Sequence, residues 1–63
     1  MCNRVRELRL QGQMTQEGLA TAAKVSRQTI IAIEKKRLVP SVKLALRLAS
    51  VLGVRLEELF WLE

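Results

Sequence analysis

The residues of this 63-residue chain best suited to chemistry are Arg27 and Gln28, which follow Ser26 at a predicted helix start. Arginine can donate two hydrogen bonds to the edge of guanine, and glutamine can pair in the same bidentate way with adenine. Each such pair discriminates against a wrong base by about 1–3 kcal/mol. Arginine and glutamine are also common on solvated helix surfaces. Their types and spacing alone therefore leave base recognition and an ordinary polar surface both open.

The sequence contains few groups that could catalyse a reaction or bind a metal ion. The chain has no His, Asp or Tyr, and its single cysteine, Cys2, follows the first residue. A lone cysteine without histidine cannot form the usual zinc clusters or an intrachain disulfide. We therefore expect a protein that is not an enzyme and that has no metal or other cofactor.

The charge balance points to an acidic partner. Eleven Lys and Arg residues against six glutamates give a net charge of +5, which makes nucleic acid the first candidate. No apolar run approaches the roughly 20 residues of a membrane span. Arg4, Arg6 and Arg9 interrupt the N-terminal segment too early for a signal peptide. The sequence predicts a cytoplasmic protein without a membrane partner.

The elements that position Arg27 and Gln28 are predicted to be five short helices in a single all-α domain, residues 1–63. Capping and breaking residues mark the ends of these helices; they are Asn3, Gly12, Thr15, Ser26, Pro40, Ser41 and Gly53. The last helix is predicted from Leu56 to Trp61. Apolar side chains at helical spacing mark the inner faces; they are Val5, Leu8, Leu19, Ala20, Ala23, Ile30, Ile33, Val42, Ala45, Leu48, Ala49 and Leu52.

The informative stretch runs from Thr15 to Glu34. It contains two helices of about eight residues joined by a two- or three-residue turn, with small side chains at Ala20 and Ala23. Small residues allow two helices to cross closely at a steep angle, which exposes the second helix as a ridge. A helix about 10–12 Å across matches the width of the DNA major groove.

The segment MTQEGLATAAKVSRQTIIAIEKKRLVPSVKLALRLASVLGVRLEELF resembles the phage repressor and Cro family of helix-turn-helix regulators, also called the xenobiotic-response-element family. The combination of Thr-Gln, Leu-Ala, Val-Ser-Arg-Gln-Thr-Ile, Ile-Glu, Pro-Ser and Leu-Gly-Val carries this likeness, which extends from about Arg4 to Trp61. The resemblance implies a compact five-helix repressor-like domain. Its helix-turn-helix lies in helices 2 and 3, at about 15–34.

The resemblance also assigns roles to individual positions. The residues that match base-contacting positions are Arg27, Gln28, Ile31, Ala32 and Gln16. Phosphate contacts are expected from Gln16, Ser26, Thr29, Lys35, Lys36 and Arg37, and we expect Gln16 also to support Gln28. For Lys35, Lys36 and Arg37 a solvated run of charges is the alternative. Arg9 and Glu34 match a pair that the family brings together, so we expect a structural ion pair between the first and third helices.

Three residues depart from the family pattern. Lys24 and Lys36 stand where glycine is common, and the turn at Lys24 tends to need a positive φ, which costs a non-glycine residue about 1 kcal/mol. Ile31 stands where a polar residue is usual. It is either a partly covered neighbour of Ile30 or a contact to a thymine methyl group.

The C-terminal region, about 54–63, carries more apolar residues than so small a monomer is expected to bury: Leu56, Leu59, Phe60, Trp61 and Leu62. An exposed apolar patch with aromatic residues is typical of an interface. We expect these five residues to form a homodimer that places two recognition helices about 34 Å apart on a pseudo-palindromic site. The alternative is a tail folded back onto Leu44, Leu46 or Val51.

Together these observations predict a transcriptional regulator, a repressor, that binds double-stranded DNA sequence-specifically through the helix Arg27–Glu34. One alternative is an antitoxin or protein-interaction module that uses the same fold and a protein partner. Another is a non-specific nucleoid protein, whose DNA affinity would depend strongly on salt without a preferred sequence.

Overall fold

The computed structural model describes residues 1–63 and confirms the predicted five-helix fold. The elements in chain order are β1 (Cys2–Asn3), α1 (Val5–Gln11), α2 (Gln16–Ala23), α3 (Arg27–Glu34), α4 (Val42–Leu52), α5 (Leu56–Leu59) and β2 (Phe60–Trp61). The two short strands are an addition to the predicted all-helical elements. None of the helices has the length and apolar character that a bilayer crossing requires.

Hydroxyl side chains cap three of the helices as predicted. Each cap residue is extended, and its oxygen accepts the backbone N–H of the residue three positions later; the pairs are Thr15 with Gly18, Ser26 with Thr29 and Ser41 with Leu44. The first helix differs from the prediction, because Arg4 rather than Asn3 occupies its N-cap. The Asn3 Oδ1 atom still accepts the N–H of Val5, at 3.2 Å.

The first four helices end in the same hydrogen-bond pattern, the Schellman motif. A residue with left-handed backbone donates to the carbonyl three residues back, and its successor donates to the carbonyl five residues back. The left-handed residues are Gln13, Lys24, Lys36 and Gly53, with φ of 57°, 62°, 62° and 72°. Only Gly53 has the residue type that this backbone favours. Each of the other three is held in a conformation that costs a side-chain-bearing residue about 1–2 kcal/mol.

The core is formed by eleven buried apolar residues contributed by every helix: Val5, Leu19, Ala20, Ala23, Ile30, Ile33, Ala45, Leu48, Ala49, Leu59 and Phe60. The predicted inner face of α4 is confirmed at Ala45, Leu48 and Ala49. It is wrong at Val42, which is 73% exposed. At 100° per residue, Val42 lies about 60° around the helix from Ala45, at the edge of the buried face.

The two strands join the ends of the chain. They pair antiparallel, with Cys2 opposite Trp61 and Asn3 opposite Phe60. The N–H of Arg4 extends the contact by donating to the carbonyl of Leu59, at 3.0 Å. The predicted last helix therefore ends at Leu59. The backbone becomes extended at Phe60, whose N–H still donates to the carbonyl of Leu56, and from there the chain pairs with β1.

This pairing corrects two of the predicted interface residues. Leu59 is 0% and Phe60 8% exposed, so both belong to the monomer's own core and leave no surface for a second copy. The strand β2 folds the chain end back against the helices, which buries Leu59 and Phe60. Trp61 and Leu62 stay exposed, and Leu56 is half-buried.

Candidate nucleic-acid interface

The outward face of α3 is opposite the side that anchors it in the core. Ile30 and Ile33 are completely buried, whereas Arg27 and Gln28 are exposed and Ile31 is half-buried. At 100° per residue, Gln28 lies about 180° from the mean direction of the two buried isoleucines. Ala32 and Lys35 share the outward side with these residues. The helix therefore presents a mixed polar and apolar surface about one helix wide.

The start of α3 is held by its own cap. The Ser26 hydroxyl accepts the N–H of Thr29 at 3.2 Å, and the hydroxyls of Ser26 and Thr29 lie 3.0 Å apart. The first turn that carries Arg27 and Gln28 is therefore fixed before any ligand binds. Both hydroxyls already have a partner within the helix start, and Ser26 remains exposed.

The end of α3 is attached to α1 by Arg9 and Glu34, the two residues expected to pair. Arg9 Nε lies 2.7 Å from Glu34 Oε2, and Arg9 Nη2 lies 3.2 Å from Oε1. The side chains are only 9% and 4% exposed. Arg9 Nη1 also donates to the carbonyl of Met14, at 2.9 Å, which fixes the connection between α1 and α2. This network sets the direction of α3 relative to the other two helices.

Gln16 completes the same network. Its Nε2 atom donates to Glu34 Oε1 at 3.2 Å, so the amide is directed to Glu34 rather than to Gln28, which it was expected to support. The side chain is half-buried and its amide oxygen has no partner in the protein. Gln16 is thus held in place at the first turn of α2 with one acceptor free.

An open cleft of about 790 Å³ lies between α1, the start of α2 and the outward side of α3. Its walls are formed by Arg6, Arg9, Thr15, Gln16, Glu17, Arg27, Ile31, Glu34 and Lys35. The cleft brings together four of the predicted contact residues, Gln16, Arg27, Ile31 and Lys35. Ile31 is the one apolar side chain in these walls, and Gln28, Ala32, Lys36 and Arg37 lie outside them.

Arg6 is a wall residue that the sequence-based predictions missed. It precedes Arg9 by three positions, a spacing that puts both side chains on one face of a helix. Because Arg9 was expected to reach the third helix, that spacing was the signal that could have placed Arg6 beside it.

A basic turn follows α3. Lys35, Lys36 and Arg37 are all exposed, and none of them forms a salt bridge. Its backbone is fixed by the Schellman bonds and by Asn3, whose Nδ2 atom donates to the carbonyl of Ile33 at 3.1 Å. Three unpaired positive charges are therefore held on an ordered turn directly beside the outward face of α3.

Cys2 lies in the terminal strand β1 and is half-buried. Its thiol donates to Glu63 Oε1 at 3.1 Å, and this hydrogen bond, with partial burial and the carboxylate's charge, raises the pKa of Cys2. A raised pKa lowers the fraction of thiolate, the form that acts as a nucleophile or metal ligand. No group of three or more His, Cys, Asp or Glu residues is placed to hold a metal ion.

Comparison with known proteins agrees with this geometry. A helix-turn-helix family model matches residues 5–59. An uncharacterized HTH-type transcriptional regulator of Bacillus subtilis is 44% identical over 63 residues, covering 100% of this chain and 96% of the relative. Another, from Methanocaldococcus jannaschii, is 48% identical over 60 residues, covering 95% and 91%. The crystal structure of the restriction-modification controller protein C.AhdI from Aeromonas hydrophila superposes with a TM-score of 0.85 at 33% identity, covering 90% of this chain and 86% of that one.

Proposed function

This chain belongs to the helix-turn-helix family of DNA-binding transcriptional regulators, and from that membership we propose that it is a repressor that binds a pseudo-palindromic duplex site as a homodimer. The observation that carries the proposal is the outward face of α3, where Arg27 and Gln28 are exposed opposite two completely buried isoleucines. A bound repressor acts by occupying its site, and this chain is a DNA-binding fold over almost its whole length.

Base recognition is assigned to the first two turns of α3. Arg27 and Gln28 are long side chains with free hydrogen-bonding groups, suited to a guanine and an adenine. Ile31 and Ala32 lie one turn later on the same side and can contact thymine methyl groups. Gln16 has a free amide oxygen beside them, which suits an amino group on a base or a bridging water. We therefore expect the site to contain a guanine, an adenine and a thymine within one half-site.

Phosphate contacts are assigned to the edges of this face. The residues are Gln16, Ser26 and Thr29 at the two helix starts, and Lys35, Lys36 and Arg37 in the basic turn. Helix starts carry unpaired N–H groups and a partial positive charge, which favour phosphate binding. The basic turn adds three charges with no protein partner. These contacts set the position of α3 in the groove and make the affinity depend on salt.

The homodimer interface is assigned to the C-terminal region, now reduced to Leu56, Trp61 and Leu62. Leu62 is 78% exposed, and Trp61 is a large aromatic side chain of the kind that anchors interfaces. A two-fold axis through this region would place the two copies of α3 about 34 Å apart, one turn of DNA.

Selection of binding sites from random duplex DNA at near-physiological salt tests the DNA specificity. We expect an enriched pseudo-palindrome with half-site centres about 10 bp apart. Arg27→Ala and Gln28→Ala should each relax the preference at one position by about 1–3 kcal/mol, whereas Gln11→Ala, an exposed glutamine on α1, should not. A pool that stays random would refute a sequence-specific regulator and favour the protein-interaction or nucleoid alternatives.

Sedimentation tests the homodimer. We expect a dimer for the wild type and a shift to monomer for Leu62→Ser. Leu46→Ser removes another exposed leucine, 52% exposed, from α4, outside the proposed interface, and should leave the dimer intact. A wild-type monomer at high micromolar concentration, both free and bound to DNA, would exclude this assembly.

A further inference from the structure

Arg6 is an exposed cation with no assigned role. Its guanidinium forms no salt bridge, in contrast to Arg4, Arg9 and Arg55, each of which binds a glutamate. An arginine that is unpaired in the free protein retains its full charge and all five of its N–H donors for a ligand. Arg6 lies in the wall of the cleft, across from the side of α3 that carries Arg27. This position indicates the kind of ligand that Arg6 can bind.

The electrostatics of the cleft favour an anion. Of its two carboxylates, Glu34 is already neutralised by Arg9, and Glu17 is exposed at the first turn of α2. Arg6, Arg27 and Lys35 remain as unpaired cations. The three cations therefore outweigh the single free carboxylate, so the cleft favours an anion.

The shape of the cleft favours a strand that crosses it. The cleft is open to solvent and almost entirely polar, with Ile31 as the one apolar wall residue, so it does not resemble the enclosed apolar pockets of small-molecule ligands. It runs beside α3, where a DNA backbone must pass if α3 lies in the major groove. The first turn of α2 opens onto it, and its N–H groups add partial positive charge.

We propose that Arg6 binds a backbone phosphate of the DNA duplex, so that one strand lies in the cleft between α1 and α3. This inference rests on the proposed function and adds a contact from α1 to those assigned to α2, α3 and the basic turn. Guanidinium groups match phosphate oxygens in a bidentate geometry, which gives the contact both charge and direction. Because the contact is to the backbone, it strengthens binding to every sequence equally.

The salt dependence of binding measures this contact directly. One phosphate contact contributes about 0.9 to the slope of log affinity against log salt on B-DNA. If the affinities of the wild type and of Arg6→Gln are equal at 1 M salt, that slope corresponds to an affinity about fivefold lower for the variant at 0.15 M salt. The loss should be the same on the selected site and on an unrelated duplex.

The experiment measures the affinities of four proteins for both duplexes by fluorescence anisotropy, between about 50 and 300 mM salt. This range spans the salt concentration of about 0.1 M, at which the Debye length is about 10 Å. The four proteins are the wild type, Arg6→Gln, Arg6→Lys and Arg4→Gln. Arg4→Gln removes the same charge two residues away, from a side chain that is bound to Glu7, and so measures the effect of net charge alone. Circular dichroism melting checks that the exposed substitutions leave the fold unchanged.

We expect Arg6→Gln to lose about 0.9 of the slope, Arg6→Lys to keep it and Arg4→Gln to keep nearly all of it. If the slope of Arg6→Gln is unchanged, or is reduced no more than that of Arg4→Gln, the phosphate contact is overturned. The proposed function still stands in that case, provided that the wild type prefers its selected site. A loss confined to the selected site would also overturn the phosphate contact, because that result assigns Arg6 to a base. If the wild type shows no preferred site, the proposed function fails, and the slopes on the unrelated duplex still decide the role of Arg6.

Discussion

Replacing Glu34 by glutamine tests the buried ion pair that joins α1 to α3. The Glu34 carboxylate accepts three hydrogen bonds, from Arg9 Nε at 2.7 Å, from Arg9 Nη2 at 3.2 Å and from Gln16 Nε2 at 3.2 Å. Glutamine offers one oxygen in place of two, so its amide group must face one of these donors. The Arg9 guanidinium also loses its counter-charge in a site where the arginine side chain is only 9% exposed.

The expected loss is a large part of the total stability. Removing one partner of a buried pair costs about 3–5 kcal/mol, and we expect about 3 kcal/mol here because glutamine keeps at least one hydrogen bond. A domain of this size has a free energy of unfolding of about 3–9 kcal/mol, at 0.05–0.15 kcal/mol per residue. A loss of 3 kcal/mol corresponds to a fall in Tm of about 12–24 °C for so small a domain.

A double-mutant cycle measures the pair itself. Glu34→Gln, Arg9→Met and the double variant are unfolded in urea and followed by circular dichroism. We expect a coupling energy of about 2–3 kcal/mol, since the double variant no longer buries an unpaired charge. Glu7→Gln is the matched control: it breaks the pair with Arg4, whose side chains are 42% and 54% exposed, and should cost less than about 1 kcal/mol.

The comparison between the two glutamates decides the result. A loss from Glu34→Gln no larger than that from Glu7→Gln, or a coupling energy below about 0.5 kcal/mol, would refute the role of the pair in holding α3. Such a result would mean that the other contacts of α3, namely the buried Ile30 and Ile33 and the hydrogen bond from Asn3 to the Ile33 carbonyl, orient the helix.

Three further predictions concern stability. Lys24→Gly should raise the free energy of unfolding by about 1 kcal/mol because Lys24 has a φ of 62°, and an unchanged Tm would contradict that strain. Asn3→Asp keeps the acceptor for the N–H of Val5 but sets a carboxylate against the carbonyl of Ile33, so we expect a loss of about 1 kcal/mol in urea unfolding; wild-type stability would exclude this contact as a support of α3. The N–H of Arg55 lowers the pKa of Glu58 below its ordinary value of 4.5. The stabilising contribution of the Glu58 carboxylate is therefore complete above pH 4.5 and disappears as the pH falls through the lowered pKa. Glu58→Gln should remove this part of the acid dependence of Tm. Identical pH profiles of Tm for the variant and the wild type would rule out this contribution.

The ends of α3 are held by separate contacts, which bears on the proposed binding of DNA by this helix. Its start is capped by Ser26, and its last residue, Glu34, is bound to α1. The adjoining carbonyl of Ile33 is bound by Asn3 from the terminal strand. If α3 reads DNA as proposed, a helix fixed in this way would lose little conformational entropy on binding, so more of the contact energy proposed for Arg27 and Gln28 would be retained as affinity.

Much of this architecture could be predicted from local sequence. Thr15, Ser26 and Ser41 cap their helices as expected, because capping depends on an oxygen that reaches an N–H three residues along the same chain. Ile30 and Ile33 are buried as expected, because helical periodicity sets the inner face of each helix. The left-handed backbone of Lys24 was expected from the family resemblance, because Lys24 stands where that family commonly has glycine.

Other features depended on residues far apart in the chain. The pairing of Cys2 with Trp61 joins the two ends of the molecule, and no periodicity within either end predicts it. The same pairing buries Leu59 and Phe60, whose apolar side chains suggested an interface with a second copy of the chain. The spacing of Arg6 from Arg9 puts both on one face of α1, but the relation of Arg6 to Arg27 exists only after α1 and α3 come together. The local sequence thus determined which helices form and which faces they bury, whereas only the closed fold decided which remaining side chains share a surface, because that depends on distances across the core rather than along the chain.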